Sequence, residues 1–357
     1  MYSSVVLSTN WISRRYRIRA EFICFNFASI QEMVIMVNVT VHKLRDIDLE
    51  ELSHFTFNTL QFSLLRDDSR TLEKIEESYD ERANDENEVI IQARESKSHE
   101  LRGILGLYTG FPRMAFISSW HPLVQSSLNK RKTSQALIRK CVEFVRDNGF
   151  NRLESYLNPI REGFEEIRHE YQSMYEKEGF HQAGVEVSMK IDMKDWKLHS
   201  QVPELPKGYR FEEIGDRTNK EIEETFFESF RNSKARLFLD MTRAEQQVSF
   251  NHWMNRKREF HHSTVLVTDG NGVIGFSIAR PQNETVNIGP IGLHPMHRGK
   301  GIAQALVFES LRRIKLDNQS KFAVLEVDEI NIPAMKVYTR LGFSPQFTQE
   351  FYALVIS

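Results

Sequence analysis

Cysteine is scarce in this 357-residue chain: Cys24 and Cys141 are the only two. A disulfide framework is therefore not the design, and a reducing, cytoplasmic setting is expected. Apolar runs are short as well. None reaches the roughly 18 residues that a bilayer span requires, so no membrane partner is expected. Charge of one sign is also missing, because 47 Lys and Arg meet 49 Asp and Glu for a formal net charge of −2. No global field draws such a chain to nucleic acid. What is there is ordinary for a globular protein, with 40% hydrophobic and 27% charged residues. The length suits two compact cores better than one. The start differs in composition: within residues 1–36, Arg14, Arg15, Arg17 and Arg19 face only Glu21 and Glu32. An Arg-rich, acid-poor start is compatible with an organellar address. The plainer reading is an extension from an upstream start codon, since a domain opening follows Met36. No secretory pattern is present.

Two segments repeat one order of elements, which is how duplicated architectures announce themselves. In the second, 208–357, the spacing predicts a strand at 209–214, helices at 220–230 and 243–254, and a strand at 264–268. Asp269-Gly-Asn-Gly272 then supplies the positive φ of a hairpin turn. Strands at 273–279 and 285–293 follow, then a helix at 302–315, a strand at 322–327, a proline-opened helix at 333–340 and a closing strand at 347–356. The first copy, 37–195, predicts strands at 39–44, 88–92, 103–108, 114–120, 152–157 and 184–191, with helices up to 58, at 134–147 and before Gly179. His121-Pro122 answers His294-Pro295, Ser134-Gln-Ala-Leu137 answers Ala303-Gln-Ala-Leu306, and Tyr175 with Gly179-Phe180 answers Tyr338 with Gly342-Phe343. Residues 196–207, punctuated by Pro203 and Pro206, read as an exposed, semi-rigid linker. The fold class expected is α/β, as two tandem domains, each a mixed twisted sheet flanked by helices.

The sharpest chemical signal is Arg298-Gly-Lys-Gly-Ile-Ala303, set between a strand and a helix. Gly299 and Gly301 permit backbone conformations that a Cβ forbids, and the helix start offers unpaired N–H groups and a positive dipole end to a pyrophosphate. The loop lacks the Gly-Lys-Ser/Thr ending of a Walker loop and the three glycines of the dinucleotide fingerprint. Taken alone, it is equally a tight turn whose glycines serve geometry only.

Downstream stand Leu325-Glu-Val-Asp-Glu-Ile-Asn331 and Tyr338-Thr-Arg-Leu-Gly-Phe343. With these, the loop resembles the GNAT superfamily of acetyl-CoA-dependent N-acetyltransferases. Arg298, Gly301 and Ala303 meet that family's loop signature: Arg or Gln, two residues, Gly, one residue, then Gly or Ala. Residues 325–343 are similar to bacterial acetyltransferases that modify the N-terminal amine of a ribosomal protein. There, a glutamate, an asparagine five residues on and a tyrosine seven further act as base, CoA ligand and acid. The resemblance places those roles on Glu326, Asn331 and Tyr338. It implies a strand at 287–293 that splays from its neighbour, freeing backbone at Ile291, Gly292 and Leu293 for the pantetheine. Gly299, Lys300, Gly301, Ile302, Ala303 and Gln304 would cradle the pyrophosphate, with Arg298 beside them. Acetyl-CoA is then a co-substrate and an amine the acceptor, and no metal is called for.

Each role has a rival. Glu326 is equally read as a paired acid in a half-buried strand, with Asp328, Glu329 and Glu284 as competing bases. Tyr338 is equally a packing aromatic, and Asn331 a helix cap before Pro333. In the first copy Asn129-Lys-Arg-Lys-Thr-Ser134 stands at the loop position, with lysines where the glycines would be, so close backbone approach is lost. That copy is expected to bind no acetyl-CoA and to shape an acceptor cleft between the halves. Lys130-Arg-Lys132 reads as solvated surface. His252, His261 and His262 lack an acidic or Cys partner at ligand spacing, so no metal site is expected. The leading functional expectation is acetyl transfer to a primary amine of a protein or small molecule, by direct attack in a ternary complex. The rival is a non-catalytic acyl-CoA sensor or interaction module. Oligomeric state is left open.

Overall fold

The computed structural model describes residues 36–59, 71–125, 129–158, 165–197, 203–231, 234–239, 241–255, 260–282 and 284–356. The Arg-rich start and Cys24 lie outside them. The first half runs β1 (Val37–Lys43), α1 (Leu49–Thr59), α2 (Leu72–Ala83), β2 (Glu88–Glu95), β3 (Leu101–Tyr108), β4 (Met114–Ile117) and β5 (Leu123–Val124). It continues with α3 (Lys130–Asp147), β6 (Arg152–Leu157), α4 (Glu165–Lys177) and β7 (His181–Asp192). The second half runs β8 (Arg210–Glu213), α5 (Asn219–Phe230), α6 (Arg236–Leu239), α7 (Arg243–Asn255), β9 (Val265–Thr268), β10 (Val273–Gln282) and β11 (Thr285–Leu293). It closes with α8 (Ile302–Asp317), β12 (Phe322–Asp328), α9 (Ile332–Arg340) and β13 (Ser344–Val355). No helix among the described residues is long and apolar enough to cross a membrane.

Local chemistry accounts for most of these elements. Thr218 and Glu221 close a reciprocal capping box at the start of α5. Leu137, Ile138, Cys141 and Val145 give α3 one apolar face at helical spacing, and that face is buried. The expected strand at 114–120 stops at Ile117, because the chain turns at Trp120, whose φ is +60°. Strand β12 alternates: Ala323, Leu325 and Val327 face the core under α8 and α9, which leaves Val324, Glu326 and Asp328 on the opposite face.

The closing strands carry the main topological finding. Among the described residues the strands form one thirteen-stranded sheet, whose middle runs β6-β13-β7-β12. Strand β7 of the first half pairs antiparallel with β12 of the second, from Phe322–Asp192 to Asp328–Glu186. Strand β13 of the second half pairs with β6 of the first, from Glu350–Leu157 to Val355–Arg152. The two exchanged strands also pair with each other. Each core is thus completed by the other half. Tyr352 of β13 stacks on Tyr175 in the first core at 5.7 Å. Val187, Met189 and Ile191 of β7 belong to the second. Trp196, counted with the exposed linker in the sequence, is instead a core residue: it is buried against Phe308 and donates from Nε1 to the Leu341 carbonyl at 3.0 Å. Indole area and a satisfied N–H outweigh the polar composition of its neighbours.

Candidate active site

Strands β11 and β12 are parallel neighbours only from Thr285–Phe322 to Asn287–Val324. Beyond that rung β12 stays with β7, while β11 follows β10 through a bulge to Leu293. A crevice therefore opens at the C-terminal ends of two parallel strands, the customary place for ligands in α/β sheets. Ile291 is half-buried in its wall, and Gly292 and Leu293 are buried. Gly292 has no room for more, since a Cβ there would lie 2.3 Å from a ring carbon of Phe276.

The loop after β11 is held from behind. The Arg298 guanidinium donates to the carbonyls of Leu293 (3.3 Å) and Ser229 (2.7 Å), so its fork is spent on fastening backbone. Gly299 and Gly301 have φ of +77° and +79°, and nothing lies within 4 Å of where a Cβ would stand on either. Gly301 is the N-cap of α8 and brings no capping side chain. The N–H groups of Ile302, Ala303 and Gln304 consequently have no acceptor among the described residues, and the first internal bond is Ala305 N–H to the Gly301 carbonyl at 3.1 Å. Lys300 reaches the Tyr209 hydroxyl (3.0 Å), which contacts His297 Nδ1 (3.0 Å). Burial and the Lys300 charge hold the His297 pKa below its ordinary value. The loop is thus an open, positively polarised cradle.

On the face of β12 opposite α8, Glu326 is exposed to the crevice. Its surroundings are crowded enough that desolvation lifts its carboxyl above the ordinary range, against a hydrogen bond from Asn287 and the charge of Arg280. Asp328, two residues on, is buried and accepts the Arg236 backbone N–H at 2.6 Å. Burial raises its pKa too. Register puts a third carboxylate beside them, because Glu186 of β7 is the cross-strand partner of Asp328. Burial first, then Asp328, with lesser push from Glu326 and Glu154, raises Glu186 to about 7, while Arg236 opposes. Arg236 is itself engaged by the buried Glu154 at 3.0 Å. Nothing near Glu186 in the sequence marked it, for its significance comes from a strand of the other half.

The remaining candidates separate. Tyr338 on α9 is buried, edge-on to Phe343 at 6.2 Å, and its hydroxyl has no hydrogen-bond partner among the described residues. Desolvation raises its pKa, which keeps the phenol protonated. Asn331 caps α9, its side-chain oxygen accepting from Ala334 N–H at 3.4 Å. Glu284 is ion-paired with Lys321 (2.5 Å) just before β11, at the end of that strand opposite Leu293. Glu329 lies just past the end of β12, exposed. The lack of an acidic partner for the histidines is corrected by the structure, which brings Asp317 within 3.5 Å of His261 Nε2. His261 Nδ1 accepts the Ser263 backbone N–H at 3.1 Å. That leaves Nε2 facing Asp317, and His262 joins them, the ligand atoms of the three lying within 4.8 Å of one another, a spacing the sequence did not show.

Residues 220–343 match the acetyltransferase (GNAT) family. No curated protein matches the chain. Among solved structures, a GCN5-related N-acetyltransferase from Sphaerobacter thermophilus is similar at a TM-score of 0.63 and 14% identity, covering 90% of this chain and 96% of that one. A tandem GNAT protein from the clavulanic acid biosynthesis pathway is similar at 0.60 and 15%, covering 90% and 99%. Identities this low speak for the fold, and the fold is that of two GNAT-like halves in tandem.

Proposed function

We propose that the second half, whose residues 220–343 match the acetyltransferase (GNAT) family, transfers an acetyl group from acetyl-CoA to a primary amine by direct attack. The observation that carries this reading is the cradle after β11, where three N–H groups have no acceptor among the described residues and two positive-φ glycines border open space. A diphosphate supplies the acceptors such a helix start lacks. The chain's residues fit the cofactor from the loop inward: 299–304 for the diphosphate, and backbone at 291–293 for the pantetheine. Asn331 keeps its side-chain nitrogen for the same ligand while its oxygen caps α9.

In the reaction the acceptor nitrogen bonds to the acyl carbon and the thioester C–S bond breaks. The nitrogen must first lose a proton, and Glu326, directly or through water, is the base, with its raised pKa suited to the task. A backbone N–H at the β11 end stabilises the oxyanion that forms. Tyr338 hands its proton to the departing thiolate, which its unengaged, protonated hydroxyl allows. Glu186 and Asp328, on the same face, give the acceptor side a negative character that favours an ammonium. Acceptors to compare are protein N-termini, lysine side chains, polyamines, aminoglycosides and amino-acid-like metabolites.

The test is a CoA-release screen over these amine classes, with Gly301→Glu as the blank. Tyr338→Phe and Glu326→Gln should lose turnover and keep CoA affinity. If both retain turnover, or if no class exceeds the blank while CoA still binds, the domain is an acyl-CoA sensor and the catalytic reading falls.

A further inference from the structure

The first half holds a cavity of about 510 Å³ on the α1–α2 side of its sheet. This lies within the range of about 300–1,000 Å³ common for small-molecule sites. Ile90, Ile117 and Tyr156 line it from the strands, and Lys74 and Arg82 from α2. It sits where β4 and β6, parallel only from Met114–Arg152 to Phe116–Glu154, move apart.

This cavity does not continue into a cofactor channel. The Tyr175 hydroxyl bonds the His121 carbonyl and Ser155, and the Tyr171 hydroxyl donates to the Pro122 carbonyl at 3.0 Å. Strand β5, absent from the second half, adds a further rung to β3 at the same end. The basic run 130–132 is wound into the first turn of α3, and Lys130 is paired with Glu170 at 3.0 Å. An acyl donor that threads the diverging strands of the second half meets these bonded loops and β5 here.

The walls, in contrast, ask for a ligand. Arg82 is matched by the buried Glu88 through a fork (Nε to Oε1, 2.9 Å), so that pair is electrically closed. Lys74, at the mouth, has no ion-pair partner among the described residues, which leaves one cation in excess. Trp120 lines the cavity, is 4% exposed, and its indole N–H finds no acceptor among the described residues. A buried donor left unmet costs about 1–3 kcal/mol, so such a group marks a place where a partner is missing. A buried N–H donor and one net cation above aromatic and branched apolar walls describe the complement of an acid with a flat or branched body.

We propose that this cavity binds a small carboxylate with an aromatic or branched apolar body, its oxygen accepting from the Trp120 indole N–H under the charge of Lys74. The site takes no part in acyl transfer, and it stands whether or not the second half is an enzyme.

The test follows the indole signals of the full chain, grown with ¹⁵N-tryptophan, while 3-phenylpropionate, its amide or acetyl-CoA is added. Trp120→Phe assigns the resonance, and Lys74→Ala, at an exposed position, tests the charge without threatening the fold. The Trp120 signal should move and saturate with the acid while Trp196 and Trp253 stay still. The amide and Lys74→Ala should each weaken binding about tenfold, the scale of one charge-assisted hydrogen bond. Acetyl-CoA should leave Trp120 unmoved. The proposal is overturned if neither 3-phenylpropionate nor 4-methylpentanoate moves Trp120 by about 10 mM, weaker than even a poorly efficient ligand of that size would bind. It is equally overturned if the amide binds as well as the acid, or if acetyl-CoA displaces the acid.

Discussion

Tyr175 and Tyr338 hold the same place in their halves: each sits on the helix before a closing strand, followed by a Gly-Phe pair in which the glycine has positive φ, +89° and +101°. Each accepts the phenylalanine N–H on its own carbonyl, at 3.0 and 3.1 Å. Their hydroxyls have opposite fates. Tyr175 is fully buried and spends its proton and lone pairs on His121 and Ser155, so it is a structural pin. Tyr338 is buried by its ring, and its hydroxyl has no partner among the described residues. The same contrast holds around them, with bonded loops and wound lysines in the first half, and a loop with two positive-φ glycines in the second. An identical backbone can hold a group ready or lock it away, and the neighbours on adjacent strands make the choice.

The largest expected break in that comparison is Tyr338→Phe, which should lower kcat by at least about 100-fold, the usual reach of a general acid, with CoA affinity unchanged by calorimetry. Tyr175→Phe should leave turnover intact and cost about 1–3 kcal/mol of stability in urea titration, because buried acceptors lose their donor. If a folded Tyr175→Phe protein loses turnover equally, the two halves are not divided in this way. Next comes Gly301→Glu, which puts a carboxylate in the cradle at a φ that L residues resist and should weaken CoA binding by more than about tenfold, or 1.4 kcal/mol. Lysine-to-glycine changes at 130 and 132 should create no CoA affinity in the first half, because the pins there remain.

A subtler measure uses pH. Glu186 holds its proton more tightly folded than unfolded, so ionising it works against the fold as pH climbs from the ordinary carboxylate range through about 7. Glu186→Gln should therefore raise Tm at pH 8 and leave it unchanged near pH 4. The acid limb of kcat/KM should also move down when this neighbour of Asp328 and Glu326 is neutralised, since a like charge is removed. An unmoved limb would separate Glu186 from the reacting groups. Smallest of all, Lys130→Ala breaks an exposed ion pair and should change stability by less than about 0.5 kcal/mol.

Much of this was legible in one dimension. Strand β11 and the proline-opened helix before Gly342 fell where periodicity and turn chemistry put them, because those signals are local. The loop at 298–303 was legible for the same reason, since two glycines before an apolar helix state a backbone conformation outright. What was not legible needed partners from far along the chain. Trp196 reads as linker until the second core closes over it, and His261 has no acidic neighbour until α8 ends at Asp317. The turn at Trp120 hides inside an apolar run that continues as strand in the other copy.

The amino-acid order by itself determined that there are two copies, that one keeps a glycine cradle and that a tyrosine precedes each closing turn, because φ preferences and 2.0- or 3.6-residue periods are properties of short segments. Tertiary structure alone decided that the closing strands trade places, that Glu186 joins Asp328 and Glu326, and that one tyrosine is tied while the other is not. Register between distant strands is chosen by which side chains pack and which polar groups are satisfied across the whole sheet, and no short stretch of chain contains that information.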